Sequence, residues 1–152
     1  MELTFTKMHG AGNDFIVIDN RGVDLFRRVN ISELAERLCN RRFGIGADQL
    51  LLLCPSSEAD FKMRIFNADG SEVEMCGNGI RCLAKYIWDR GISTRNILKI
   101  ETASGTMRPE RSGNLVKVDM GEPVLEAEKI PVDLKSSAPV IDYPLKISDR
   151  QF

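Results

Sequence analysis

Cys76 is followed at once by Gly77, Asn78 and Gly79, and then by Ile80, Leu83, Ala84 and Ile87 at helical spacing. This order predicts a helix over about residues 78–90, closed by Gly91, with a thiol at its start. The first turn of a helix leaves backbone N–H groups without partners, and two glycines let a ligand approach them. The positive end of the helix dipole favours a thiolate there and can also hold a carboxylate. A free thiol ordinarily ionises near about 8.5, and a helix N-terminus lowers such values. A thiolate beside an anion pocket is suited to removing the α-proton of an amino acid, Cys76 acting as general base and acid. Most cysteines are simply small buried apolar groups. Gly77 and Gly79 astride Asn78 are hard to explain by packing alone, although Asn78 could serve as an ordinary N-cap.

The longer run Asn67-Ala68-Asp69-Gly70-Ser71-Glu72-Val73-Glu74-Met75-Cys76-Gly77-Asn78-Gly79-Ile80-Arg81 resembles the active-site signature of the diaminopimelate epimerase family. The likeness covers about residues 2–121 strongly. It implies cofactor-independent interconversion of LL- and meso-diaminopimelate by two thiols on opposite faces of the α-carbon. Family members are about twice as long and take one cysteine from each of two similar halves, so this chain resembles the first half. The resemblance gives Cys76 the catalytic role and makes Asn13, Gln49, Asn67, Gly77 and Asn78 substrate ligands. Taken as residues alone, Asn13, Gln49 and Asn67 stand beside glycine-rich loops, where polar side chains usually cap and turn. Arg81 matches the family pattern without a definite role, and Asp69, Glu72 and Glu74 read as a solvated acidic flank. The fold implied is α+β, a strongly curved mixed β-sheet wrapped around a central α-helix, one of two similar halves.

Composition narrows the alternatives. The net charge of -1 and a pI near 5.9 show no basic excess, so neither nucleic acid nor an anionic membrane is expected as a partner. The longest aliphatic run, residues 50–53, suits a buried strand rather than a membrane span. Residues 1–5 lack the basic and apolar pattern of a signal peptide. Cys39, Cys54, Cys76 and Cys82 have no CxxC spacing, and His9 is the single histidine, so no metal site is expected. Reduced thiols in a cytoplasmic protein fit this pattern, with Cys39, Cys54 and Cys82 assigned to the core and His9 to the periphery. No lysine is marked for a pyridoxal Schiff base, and no cofactor is expected.

These residues must be positioned by a small set of elements. A strand over 2–8, a glycine break from His9 to Asp14 and a strand over 15–19 form the opening unit. Asn30 with Glu33 marks an N-cap and capping box for a helix bearing Leu34, Ala35 and Leu38. Strands follow over 49–54 and 61–66, then the signature helix, then strands over 97–102, 106–109 and 115–120. Pro131, Pro139 and Pro144 change the texture after Gly121, placing one domain over 1–121 and a connection with the opening strands of a second over 122–152. The expected partners are the small-molecule substrate and the C-terminal half of the same enzyme. An isolated half would expose its cleft face and self-associate, a homodimer being the simplest product.

Three other readings compete. Proline and hydroxyproline racemases use a related two-thiol mechanism, but typically carry histidine where this chain has Asn78. A non-catalytic carboxylate-binding half-domain would use the same glycine loops without turnover. A thiol-redox or cysteine-hydrolase protein would need a second nearby cysteine or a histidine partner.

Overall fold

The computed structural model describes residues 2–22, 25–134, 139–148 and 150–151. Two compact units are present, Met1–Asp119 and Met120–Phe152. The first is built on a seven-stranded mixed sheet in the order β1-β2-β3-β4-β6-β7, with β5 also paired to β4. Its strands are β1 (Thr6–Gly10), β2 (Asn13–Asp19), β3 (Gln49–Cys54), β4 (Phe61–Asn67), β5 (Glu72–Val73), β6 (Ile100–Thr102) and β7 (Gly105–Met107). The β2–β3 and β4–β6 pairs are parallel and the rest antiparallel. Helix α1 (Ile31–Cys39) packs on one face of the sheet and α2 (Gly77–Asp89) on the other. This is the α+β architecture expected.

The residue pattern explains why β3 sits in the middle. Leu50, Leu51, Leu52 and Leu53 are all buried. A strand that is apolar on both faces must be covered on both. Leu51 and Leu53 join Phe15, Val17, Met63 and Ile65 beneath α2, while Leu50 and Leu52 join Ile16, Ile18 and Phe66 beneath α1. Each fully buried Leu or Ile contributes roughly 1.5–3 kcal/mol by leaving water, so the two layers fix the register that aligns the strand ends. A hairpin of β8 (Glu110–Ser112) and β9 (Leu115–Lys117) follows, with Val116 and Val118 against the α2 core.

Several boundaries differ from expectation. The expected break at His9 to Asp14 is a two-residue turn: Ala11 (φ 52) and Gly12 (φ 85) both lie in the left-handed region, as a type I′ hairpin requires. His9 and Gly10 therefore belong to β1, and Asn13 and Asp14 to β2. Because that turn sets the register, pairing begins at Thr6 opposite Val17, and Leu3 and Phe5 lie outside the strand. Strands β6, β7 and β9 are shorter than expected, and β8 was not anticipated, since tight turns end each ladder after three residues.

Asn30 does cap α1, its side chain accepting from the Ser32 N–H. Glu33 does not close the box on the backbone but accepts from the Asn30 side-chain amide at 3.0 Å. Helix α2 starts at Gly77 with Cys76 itself as the N-cap, not Asn78.

The second unit carries a strand pair, β10 (Lys146–Ile147) with β11 (Arg150–Gln151), and a short bridge between Glu126 and Pro139. Among the described residues, no helix is long and apolar enough to cross a membrane.

Candidate active site

Side chains two residues apart along a strand share a face of the sheet. Asn13 continues the row of Phe15 and Val17, Gln49 that of Leu51 and Leu53, and Asn67 that of Met63 and Ile65. All three rows lie on the α2 face, so the three amides project from that face at one end of the sheet. The register sets them side by side, Gln49 opposite both Phe15 and Asn67. Helix α2 begins at the same end: a Cβ on Gly79 would lie 3.3 Å from the Leu51 side chain, one pleat repeat from Gln49. The three amides named from the sequence thus lie at the end of the sheet where this helix starts, and Asn13 reaches the Cys76 sulfur.

Cys76 is half-buried, in extended backbone (φ -142, ψ 113). Its Sγ accepts from the Gly79 N–H at 3.4 Å, and its S–H donates to Asn13 Oδ1 at 3.6 Å. A Cβ at Gly79 would meet Cys76 Cβ at 3.3 Å and its Sγ at 3.6 Å, so glycine lets the sulfur settle over the first turn. Gly77 and Asn78 occupy that turn, where the backbone N–H groups find no carbonyl within the helix. The Asn78 side chain accepts from the Arg81 guanidinium. That contact gives Arg81 a place, bracing a proposed ligand.

The amide pair is polarised along a chain. Asp69 accepts from the Ser71 hydroxyl, Ser71 Oγ accepts from Asn67 Nδ2 at 3.0 Å, and Asn67 Oδ1 accepts from Gln49 Nε2 at 2.8 Å. This leaves Gln49 Oε1 buried with no hydrogen-bond partner. A buried carbonyl oxygen without a donor is costly.

A charged network lies behind Asn13. Arg41 donates to both Asp14 oxygens (3.0 and 2.7 Å) and to Asp48 Oδ1 (2.8 Å), and Lys7 pairs with Asp14 at 2.8 Å. The Arg41 guanidinium holds the Asp14 carboxyl well below the usual carboxylate range against a smaller opposing effect of burial, with Lys7 adding to the lowering. A depressed folded value contributes stability above the unfolded pKa of about 3.9 that is lost as pH falls. The urea midpoint is therefore expected to fall as pH drops below about 5, and Asp14→Asn to flatten that slope. A slope unchanged in the variant would count against this account.

The other thiols are placed in the core. Cys39, Cys54 and Cys82 are buried, and burial pushes Cys39 and Cys82 up to about 11 and raises Cys54. His9 is exposed on β1. Glu72 of the acidic flank is not simply solvated but forms a bidentate pair with Arg64 (2.6 and 2.7 Å). Arg41, Asp48, Ser71 and Asp69 brace the amides and were not identified as site residues from the sequence. The only signal available was their place in the loops bearing Gln49 and Asn67. A concavity of about 830 Å³, lined in part by Asn20, Phe26, Lys62 and Arg64, lies toward the other strand ends and includes none of the three amides.

The fold recurs in a solved structure of a probable proline racemase from Agrobacterium radiobacter K84. It superposes with a TM-score of 0.59 at 18% identity, covering 77% of this chain and 41% of that one, a likeness of fold alone. A family model described as diaminopimelate epimerase matches residues 5–126. Diaminopimelate epimerase of Halothermothrix orenii is 48% identical over 159 residues, covering 99% of this chain and 55% of that protein. The Caldanaerobacter subterraneus protein of the same name is 52% identical over 156 residues, covering 99% of this chain and 54% of its own length. The chain belongs to the diaminopimelate epimerase family. It spans about half the length of these curated relatives.

Proposed function

We propose that this chain is the first half of a cofactor-independent diaminopimelate epimerase, residues 1–121 carrying one of its two proton-transfer groups and 122–152 opening the second half. One observation carries the reading: the thiol that caps this helix donates to Asn13, one of three amides placed on the same sheet face at the end where the helix starts. In the reaction the Cys76 thiolate takes the α-proton of the substrate and becomes a thiol. The electron pair moves from the C–H bond onto the α-carbon and its carboxylate. A group on the opposite face then donates a proton, inverting the centre.

The N–H groups of Gly77 and Asn78 suit the α-carboxylate, whose negative charge grows as the proton leaves. Gln49, Asn67 and Asn13 supply neutral donors and acceptors suited to a second amino-acid end, and the unpartnered Gln49 Oε1 matches an ammonium donor. No cofactor enters this scheme, and free thiols at all four cysteines accord with a cytoplasmic setting. Since the opposing group would come from the second half, the chain alone is expected to be inactive.

The test is α-proton exchange in deuterium oxide with LL- and meso-diaminopimelate, followed by loss of the α-proton signal. No exchange is expected from the chain alone, and exchange from the chain with the C-terminal half of the Halothermothrix relative. Silence from that mixture, while the two halves of the relative support exchange together, would overturn the assignment.

A further inference from the structure

We propose that Asp48, backed by Arg41, is a positioning residue that fixes the side-chain amide of Asn13 with its oxygen turned toward Cys76. Asp48 Oδ2 accepts from Asn13 Nδ2 at 2.8 Å and from the Asp14 N–H at 3.0 Å, while Oδ1 accepts from Arg41 at 2.8 Å. The Asp48 N–H returns a bond to Asp14 Oδ1 at 2.9 Å, so the two residues are tied to each other in both directions. An ionised carboxylate can only accept, and the Asp14 N–H and the Arg41 guanidinium both donate to Asp48 independently of Asn13. The group of Asn13 that faces it must therefore be the NH₂. With that end committed, Oδ1 points at the Cys76 sulfur, 3.6 Å away, and can only accept the S–H.

A flipped Asn13 would set its carbonyl against the Asp48 carboxylate, which is repulsive, and its NH₂ against the sulfur. Asp48 thereby decides that the Cys76 proton lies toward Asn13, while the Gly79 N–H occupies a sulfur lone pair. No other described contact orients the Asn13 amide. The catalytic meaning of this arrangement rests on the proposed role of Cys76, but the arrangement is testable on the thiol itself.

The experiment is iodoacetamide labelling of the whole chain, with each cysteine followed by peptide mass spectrometry, for wild type, Asp48→Ala, Asn13→Ala and the double variant. Salt at about 0.5 M shortens the reach of the lost Asp48 charge to a few ångströms. Removing the acceptor of the S–H frees the sulfur, so each single variant is expected to label Cys76 about two- to tenfold faster, the span of one net hydrogen bond. In the Asn13→Ala background, Asp48→Ala is expected to change nothing further, because Asp48 acts through Asn13. An equal effect of Asp48→Ala in both backgrounds, or none in the wild type, would overturn the proposal. Protection of Cys39, Cys54 and Cys82 reports that each variant is folded.

Should Asp48→Ala not fold, the wild type still decides. The Asn13 side-chain amide protons, assigned by their loss in Asn13→Ser, should exchange slowly with solvent. Exchange as fast as that of exposed surface amides would overturn the proposal. Labelling needs no substrate, so its outcome stands apart from the epimerase test.

Discussion

Cys76→Ser is expected to abolish α-proton exchange while leaving the fold at least as stable. The two effects separate because the residue caps a helix and, in the proposed reaction, also carries a proton. As N-cap it accepts from the Gly79 N–H, a role in which serine is among the preferred residues. The urea midpoint should therefore hold or rise slightly. As the proposed proton carrier it must act as a base, and an aliphatic hydroxyl forms its anion far less readily than a thiol does. General base catalysis supplies about 10²–10⁴-fold, and a base that cannot form loses that factor entirely. With the second half present, exchange should fall at least about a hundredfold. Retention of a tenth of the wild-type rate would remove Cys76 from the mechanism.

Gly44→Ala is expected to be the most damaging single methyl in the first unit. A Cβ there would stand 2.1 Å from the Arg37 carbonyl oxygen, 2.7 Å from that of Leu38 and 2.9 Å from that of Asn40. All three are backbone atoms at the end of α1, so no side chain can swing aside. The turn is also closed by its own bonds, Gly44 N–H to Asn40 O at 2.9 Å and Ile45 N–H to Leu38 O at 2.9 Å. Accommodating the methyl means opening this turn, and a loss of about 3 kcal/mol or more is expected in urea unfolding. The same loop carries Arg41 and leads to Asp48, so Cys76 labelling should rise in the variant that remains folded. Gly22→Ala is the control: nothing lies within 4 Å of its Cβ position, and its stability should stay within about 0.5 kcal/mol of wild type. Equal stabilities for the two variants would contradict this packing account.

Much of the scaffold could be read from local pattern. The run at residues 50–53 reads as a buried strand, and β3 spans Gln49–Cys54 as expected. Asn30 before an apolar stripe gave the start of α1, and Gly91, at φ 64, ends α2. These features depend on neighbours in the chain, where spacing and propensity act directly. The turn after β1 was misjudged because a non-glycine residue, Ala11, takes a left-handed conformation there, which composition does not announce.

The sequence by itself determined the residue types at the candidate site and the family to which they belong, since a thiol before Gly77, Asn78 and Gly79 is a local signal. It also determined that Asn13, Gln49 and Asn67 stand at strand ends or beside loops. Only the tertiary structure decided that these three share one face of the sheet at the end where α2 starts, with Asn13 at the Cys76 sulfur. That outcome depends on strand order and register, which are set by two buried layers of side chains far apart in sequence. The bracing of Asn13 by Asp48 and Arg41, and the chain from Asp69 to Gln49, were likewise decided there. A charge or amide has no fixed partner until packing brings one within hydrogen-bond distance.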